Sequence, residues 1–138
     1  MFSKKSDHWS TPNDFYAKLD EEFNFTFDPC PLNADFDSLS LPAWRGRAFV
    51  NPPYSNIRAF IEKAKLEIKA GCLDVAVFLV PARTDTRWFH DLVYGQAEVR
   101  FLKGRLKFGE GKNSAPFPSM VIVFKSTYNS SYTNEDLK

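Results

Sequence analysis

The chain has 138 residues, of which 43% are hydrophobic and 16% aromatic, so it has ample material for the core of one compact domain. No apolar run approaches the roughly 20 residues needed to cross a bilayer, and Met1 to Lys5 lacks a secretory apolar region, so a cytoplasmic protein is expected. The net charge of +1, taken whole, points to no polyanionic partner, although the average conceals a split considered below.

In chain order, Thr11 is a natural helix N-cap, with Pro12 at the first helical position and Asp14 three residues past the cap. Phe15, Leu19 and Phe23 then fall at helical spacing. Phe25 to Phe27 reads as a short strand ending at Asp28, and the Pro-rich stretch from Pro29 to Pro42 as an irregular connection. Ala48 to Val50 is the next strand. Ile57, Phe60, Ile61, Ala64 and Ile68 line one face of a helix that Gly71 closes. Val75 to Val80 is the continuous apolar run of a strand buried on both faces. Trp88, Phe89, Leu92 and Val93 make a further helix. Ala97 to Leu102 and Met120 to Phe124 supply two more strands, separated by a loop from Gly109 to Pro118. Residues 1–125 are expected to form the domain, and the polar remainder, 126–138, a disordered tail. Cys30 and Cys72 form no metal-ligand spacing with His8 or His90, so neither a disulfide nor a metal site is expected.

Asn51-Pro52-Pro53-Tyr54 is the most informative segment, because it follows a strand and opens into a helix. In an open α/β sheet small ligands bind beyond the carboxyl ends of the strands, where a polar residue faces substrate rather than core. The tetrapeptide suits methylation of a planar, amide-like amino group, whose lone pair is delocalised. The Asn51 side-chain oxygen and the Pro52 carbonyl each offer an acceptor to one amino hydrogen, which localises that lone pair. The two prolines fix the backbone, and Tyr54 offers a flat face on which an extruded base stacks. The same residues also make an ordinary turn, and the chemistry serves a DNA base, an amine in RNA or a protein glutamine amide equally.

Several separated segments resemble the phage-type DNA N-6-adenine methyltransferase family. They are Trp9-Ser10-Thr11-Pro12, Phe27-Asp28-Pro29-Cys30 with Asn33-Ala34, Asn51 to Tyr54, Pro81 to His90, Arg100 to Phe108, and Ala115 to Ser119. The resemblance implies an α/β fold with a trimmed, Rossmann-like methyltransferase sheet, mostly parallel with an antiparallel edge hairpin. It implies methyl transfer from S-adenosylmethionine to the adenine amino nitrogen in DNA by base flipping, and a phage or prophage product in a host cytoplasm. By that resemblance Asn51, Pro52, Pro53 and Tyr54 are catalytic, and Trp9, Ser10, Thr11, Pro12, Asp28, Cys30 and Asn33 lie beside the cofactor. The chain departs from the usual pattern in lacking a glycine-rich turn: no glycine follows Asp28 until Gly46. Asp35 or Asp37 is a candidate for the ribose hydroxyls.

The charge split agrees with a DNA partner. Residues 1–40 hold eight acids against three bases, whereas residues 81–125 hold eight bases against four acids. Arg83, Arg87, Arg100, Lys103, Arg105, Lys107 and Lys112 are the phosphate candidates, interleaved with Trp88, Phe101 and Phe108. Arg83 and Arg87 have Asp85 and Asp91 as competing partners. Phe117 packs either on a flipped base or within its own loop. His90, in an aromatic cluster, reads as structural. With little chain left for a separate recognition domain, a short or relaxed sequence preference is expected, and a monomer suffices. A DNA-binding derivative without activity is the alternative that the missing glycine turn suggests, and an interaction module in which the tetrapeptide is only a turn is another.

Overall fold

The computed structural model describes residues 10–31, 35–108 and 113–126, so the expected disordered tail lies outside the described residues beyond Ser126. Helix α1 spans Asn13–Phe23, and Pro12 rather than Thr11 occupies the cap position, without a side-chain cap bond. The Thr11 hydroxyl is engaged elsewhere, accepting a hydrogen bond from Asn51 Nδ2 at 3.1 Å. Asn24, at φ 54°, closes the helix, and its N–H donates to Asp20 O.

The strand expected at Phe25–Phe27 reduces to one parallel bridge, Phe27 to Ala48. The Thr26 and Phe27 N–H groups both donate to Arg47 O, and Arg47 N donates to the Thr26 hydroxyl, so a side chain takes the place of the next ladder bond. Asp37 caps a 3₁₀ turn at Ser38–Ser40, accepting from Leu39 N and Ser40 Oγ. Strand β1 (Gly46–Val50), a 3₁₀ turn at Tyr54–Asn56, helix α2 (Ile57–Lys69) and strand β2 (Leu73–Pro81) follow. Helix α3 (Arg87–Leu92) starts at a Thr86 cap whose hydroxyl accepts from Phe89 N. Strands β3 (Glu98–Phe101), β4 (Lys107–Phe108), β5 (Asn113–Ser114) and β6 (Ser119–Lys125) complete the described chain.

The expected α/β fold is observed, with a mixed sheet in which only the β1–β2 pairing is parallel where a mostly parallel sheet was expected, because β6 runs antiparallel between β2 and β3. The main sheet has the order β1-β2-β6-β3, with β1 and β2 parallel and β6 antiparallel to both β2 and β3. Strands β4 and β5 pair as a separate two-stranded ribbon within the long loop. Alternation along the strands builds two cores. Ala48, Val50, Ala76, Phe78, Val80, Met120 and Ile122 face α2, α3 and the fully buried Trp44. Phe49, Val75, Val77, Leu79, Val121 and Val123 face Leu19 and Phe23 of α1. A strand buried on both faces has no polar face to show, which is why β2 is apolar from Val75 to Pro81, with Asp74 exposed near its start. The Trp44 indole N–H donates to Ser38 O at 2.9 Å, anchoring the irregular connection to this core.

Register decides where the loops emerge. Val50 pairs with Phe78, Pro81 with Ser119, and Phe101 with Met120. The carboxyl ends of β1, β2 and β3 and the start of β6 therefore share one edge of the sheet.

Gly46 enters β1 at φ 88°, and a Cβ there collides with the Thr26 hydroxyl that replaces the ladder bond. Gly71 has a similar φ of 86° in open space. Gly71→Ala is expected to cost about 1 kcal/mol from backbone conformation alone, and Gly46→Ala about 2–3 kcal/mol because the clash adds to it. Urea unfolding of the two variants beside the wild type measures the difference.

Candidate active site

Asn51 leaves the end of β1 directly beneath the common edge, and it is one of few buried polar residues, at 5% exposure. Its burial follows from position: Val50 before it is fully buried, and Pro52 after it is buried too. Pro53 precedes the 3₁₀ turn that carries Tyr54 into α2. The Tyr54 ring meets Phe117 edge to face, with centroids 5.2 Å apart at 87°. Phe117 comes from the loop leading into β6, and Ala82 N donating to Pro118 O at 2.9 Å ties that loop to the chain leaving β2. Three separate parts of the sequence thus converge on one aromatic corner.

Beside Asn51 lies a cavity of about 170 Å³. Ser10, Thr11, Asn13 and Tyr16 form the wall at the start of α1, Asp28 and Cys30 the turn opposite, and Phe49 and Asn51 the floor from β1. Trp9 and Asn33, two residues assigned to the cofactor by resemblance, lie outside the described residues, and Pro12 lies next to the wall without lining it. Asp28 performs the turn role as well as facing the cavity: its Oδ1 accepts from Cys30 N at 2.8 Å. The tight connection without glycine is held by this carboxylate.

Tyr16, Asn13 and Phe49 are pocket residues that the sequence reading did not single out. Asn13 and Tyr16 lie in the first turn of α1 and Phe49 in β1, and Phe49 in particular reads as core. The Tyr16 ring packs edge-on against Phe49 at 5.0 Å. Burial, with Asp20 and Asp28 adding negative charge, pushes the Tyr16 phenol above its ordinary range, so it stays a protonated hydrogen-bond donor at neutral pH. Burial pushes the Cys30 thiol up strongly, and the Asp28 charge adds to the effect.

The basic candidates separate into two groups. Arg83 and Arg87 are exposed at the edge after β2, with no ion pair among the described residues, and Asp91 instead pairs with Arg58 at 3.2 Å. Arg105 and Lys107 are likewise exposed, beyond β3. Lys112 lies outside the described residues. Arg100 belongs to another site: it holds Glu22 through two hydrogen bonds at 2.8 and 2.7 Å, and Glu98 at 2.6 Å, and packs over the Phe23 ring. That cluster fastens β3 to α1 and leaves Arg100 poorly placed as a phosphate ligand. His90 is structural in its contacts, with Nε2–H donating to Thr84 O at 2.7 Å. Asp37, a candidate for the ribose, is occupied by its capping bonds.

A family model described as DNA N-6-adenine-methyltransferase (Dam) matches residues 1–136. No curated protein matches significantly. Among solved structures, the chain is similar to PH1948 of Pyrococcus horikoshii, a predicted RNA methyltransferase, at 17% identity and a TM-score of 0.44, covering 68% of this chain and 48% of that one. It is also similar to the 23S rRNA methyltransferase ErmE, at 12% identity and a TM-score of 0.43, covering 85% of this chain and 50% of that one. The chain thus spans about half the length of either structure, and at these scores neither likeness bears on function.

The raised Cys30 thiol has a direct chemical consequence, because only the thiolate is alkylated. At pH 8 iodoacetamide is expected to modify Cys30 in the folded protein at least about 100-fold more slowly than a free thiol of ordinary pKa near 8.5. Peptide mapping by mass spectrometry, with urea-unfolded protein as the reactive control, measures the ratio.

Proposed function

The chain belongs to the DNA N-6-adenine-methyltransferase family, and from that premise we propose that it transfers a methyl group from S-adenosylmethionine to the exocyclic amino nitrogen of adenine in DNA, with the base swung out of the duplex. The observation that carries this reading is the position of Asn51. It lines the Asp28 cavity, and the chain runs from it within three residues to the Tyr54 and Phe117 corner.

The cavity's chemistry suits this cofactor, which carries an ammonium, a sulfonium and an aromatic base. Asp28 offers a carboxylate to the positive charge, the Tyr16 ring a π face, and Ser10 and Thr11 hydroxyl groups. Its described volume falls below the roughly 300–1,000 Å³ of a typical small-molecule site, and the resemblance assigns Trp9 and Asn33 to the remainder. When bound, the cofactor supplies a methyl group on a good leaving sulfur, so that the N–C bond forms as the C–S bond breaks and S-adenosylhomocysteine departs.

The protein's own work is alignment. Asn51 Oδ1 and the Pro52 carbonyl accept the two amino hydrogens, drawing the nitrogen toward tetrahedral geometry and localising its lone pair for in-line attack. The surplus amino proton leaves to water after transfer, so no strong base is required. Tyr54 stacks on the extruded base, and Phe117, edge-on to Tyr54, closes the corner. Arg83, Arg87, Arg105 and Lys107 rim the same edge and take phosphates. The exposed positions of these four are what support a polyanionic acceptor over a glutamine amide.

Protein incubated with methyl-labelled S-adenosylmethionine and, separately, DNA, RNA or protein acceptors is expected to label adenine in DNA. Label in RNA or protein with none in DNA would overturn the substrate. Asn51→Ala is expected to lower turnover by a factor of about 100 or more with DNA binding largely kept. Tyr54→Ala should cost about 1–3 kcal/mol of hold on the base, while Tyr54→Phe keeps most activity; 2-aminopurine fluorescence at the target position separates the two effects.

The rim makes an independent prediction. Arg105→Ala with Lys107→Ala is expected to weaken DNA binding and reduce the slope of log K against log salt by about 1–2, leaving cofactor affinity unchanged. An equal loss of cofactor affinity, read by calorimetry, would make these residues structural.

A further inference from the structure

We infer that the β4–β5 ribbon is the part of this chain that enters the major groove of duplex DNA, beside the adenine to be methylated. The inference rests on the methyl transfer proposed above and adds to it a duplex acceptor and the element that meets the flanking base pairs.

The ribbon stands apart from the sheet that the other strands build. Lys107 pairs with Ser114 and Phe108 with Asn113, antiparallel, and neither strand joins the β1-β2-β6-β3 sheet. Its base is nevertheless secured on both sides. Leu106 O accepts from Ala115 N at 2.7 Å, and Ala115 is buried. Leu102 and Leu106 pack against the core formed with α1, and Leu102 N donates to Ser119 O at 3.3 Å. The same stretch exposes its cations while it covers its apolar residues: Lys103, Arg105 and Lys107 are all exposed, and no acid lies among them. An anchored arm with a basic base is what a polyanion with a deep groove calls for.

The place of the arm relative to the site follows from the chain. Ala115 is two residues before Phe117, whose ring meets Tyr54 with centroids 5.2 Å apart. The ribbon therefore springs from the corner on which the extruded base is proposed to stack. The acceptor nitrogen decides which groove that corner faces, because the adenine amino group lies in the major groove of a duplex and not in the minor one. A two-stranded ribbon fits the major groove, about 12 Å wide, without deforming the duplex, whereas the minor groove, about 6 Å wide, would have to open. With the arm in the groove, the exposed cations at its base meet the phosphates along the groove's margin. The chain thereby reaches the pairs beside its target without a separate recognition domain.

Two measurements test this. In the first, wild-type protein is bound to duplexes carrying 5-bromouracil at thymine positions flanking the target, so that the bromine stands where the thymine methyl group lies in the major groove. Ultraviolet cross-linking and peptide mapping are expected to place the cross-link within residues 105–114. Cross-links confined to other segments would overturn the inference. The second measurement removes the ribbon. Residues 107–114 are replaced by Asn-Gly, for which the existing Leu106 O to Ala115 N bond is the closing bond of a two-residue hairpin turn. Cofactor affinity, read by calorimetry, is expected to be unchanged. Affinity for duplex should fall about 10-fold or more with a shallower salt dependence, and affinity for a single strand of the same sequence should fall less. Duplex affinity equal to that of the wild type, or an equal loss for duplex and single strand, would overturn the inference. A truncated variant that no longer binds cofactor has lost its fold, and the cross-linking then decides. Label in RNA or protein with none in DNA would overturn the proposed substrate and this inference with it. Methylated DNA with cross-links outside the ribbon would overturn this inference alone.

Discussion

Strand β2 is the constraint from which the rest follows. From Val75 to Pro81 every residue is buried, so both faces of the strand need an apolar cover. Helices α2 and α3 supply one cover and α1 the other. The connections that carry the chain from β1 into α2 and from β2 into α3 are short. Those connections leave from one edge, since β1 and β2 are parallel and the antiparallel β6 begins where β2 ends. A concentration of loops at that edge is thus a product of core formation, and the candidate site is built from those loops.

The core was readable from the sequence because burial writes itself as periodicity. The helical spacing of Ile57, Phe60, Ile61 and Ala64 and the unbroken run of β2 both appear as expected. The candidate site is marked in the sequence at Asn51 to Tyr54, where a strand, a polar residue and two prolines adjoin, and Asn51 does line the cavity. Two expectations failed where a side chain replaces a backbone partner. Thr26 takes the Arg47 N–H and ends the short strand expected before Asp28, and Thr11 takes the Asn51 amide and does not cap α1. Propensity describes what a hydroxyl does locally, and in both cases a partner at least 21 residues away decided the outcome. Arg100 shows the same limit for charge. By composition it belongs with its basic neighbours, but Glu22, 78 residues earlier, claims it.

The described cations fall into two groups by their partners. Arg100 with Glu22 and Arg58 with Asp91 pair across elements and hold them together, while Glu98 and Glu62 add pairs within β3 and α2. Exposed pairs of this kind contribute little singly, but Arg100 also covers the Phe23 ring, which adds apolar contact to the bond. Lys65 makes the contrast plainer. Its ammonium is partly buried over the Phe124 ring, donating to Leu92 O at 2.7 Å and to Gln96, and burial lowers its pKa. These cations are committed to the fold. Arg83, Arg87, Arg105 and Lys107 have no such partners among the described residues, and they stand at the edge where the loops gather.

The absence of a glycine-rich turn between Asp28 and Gly46 then has a physical account. A glycine turn lets backbone N–H groups approach a ligand closely, at the cost of a flexible connection. Here Asp28 accepts from Cys30 N, and the buried Cys30 fills the space behind it as a neutral thiol. The Asp28 carboxylate thus closes this turn without glycine, and it also lines the cavity. On the opposite wall, prolines do equivalent work, fixing Thr11 and Asn51 by restricting the residue before each. The segments that form the cavity wall are thus fixed by their own residues, with the Asp28 side chain serving both shape and contact.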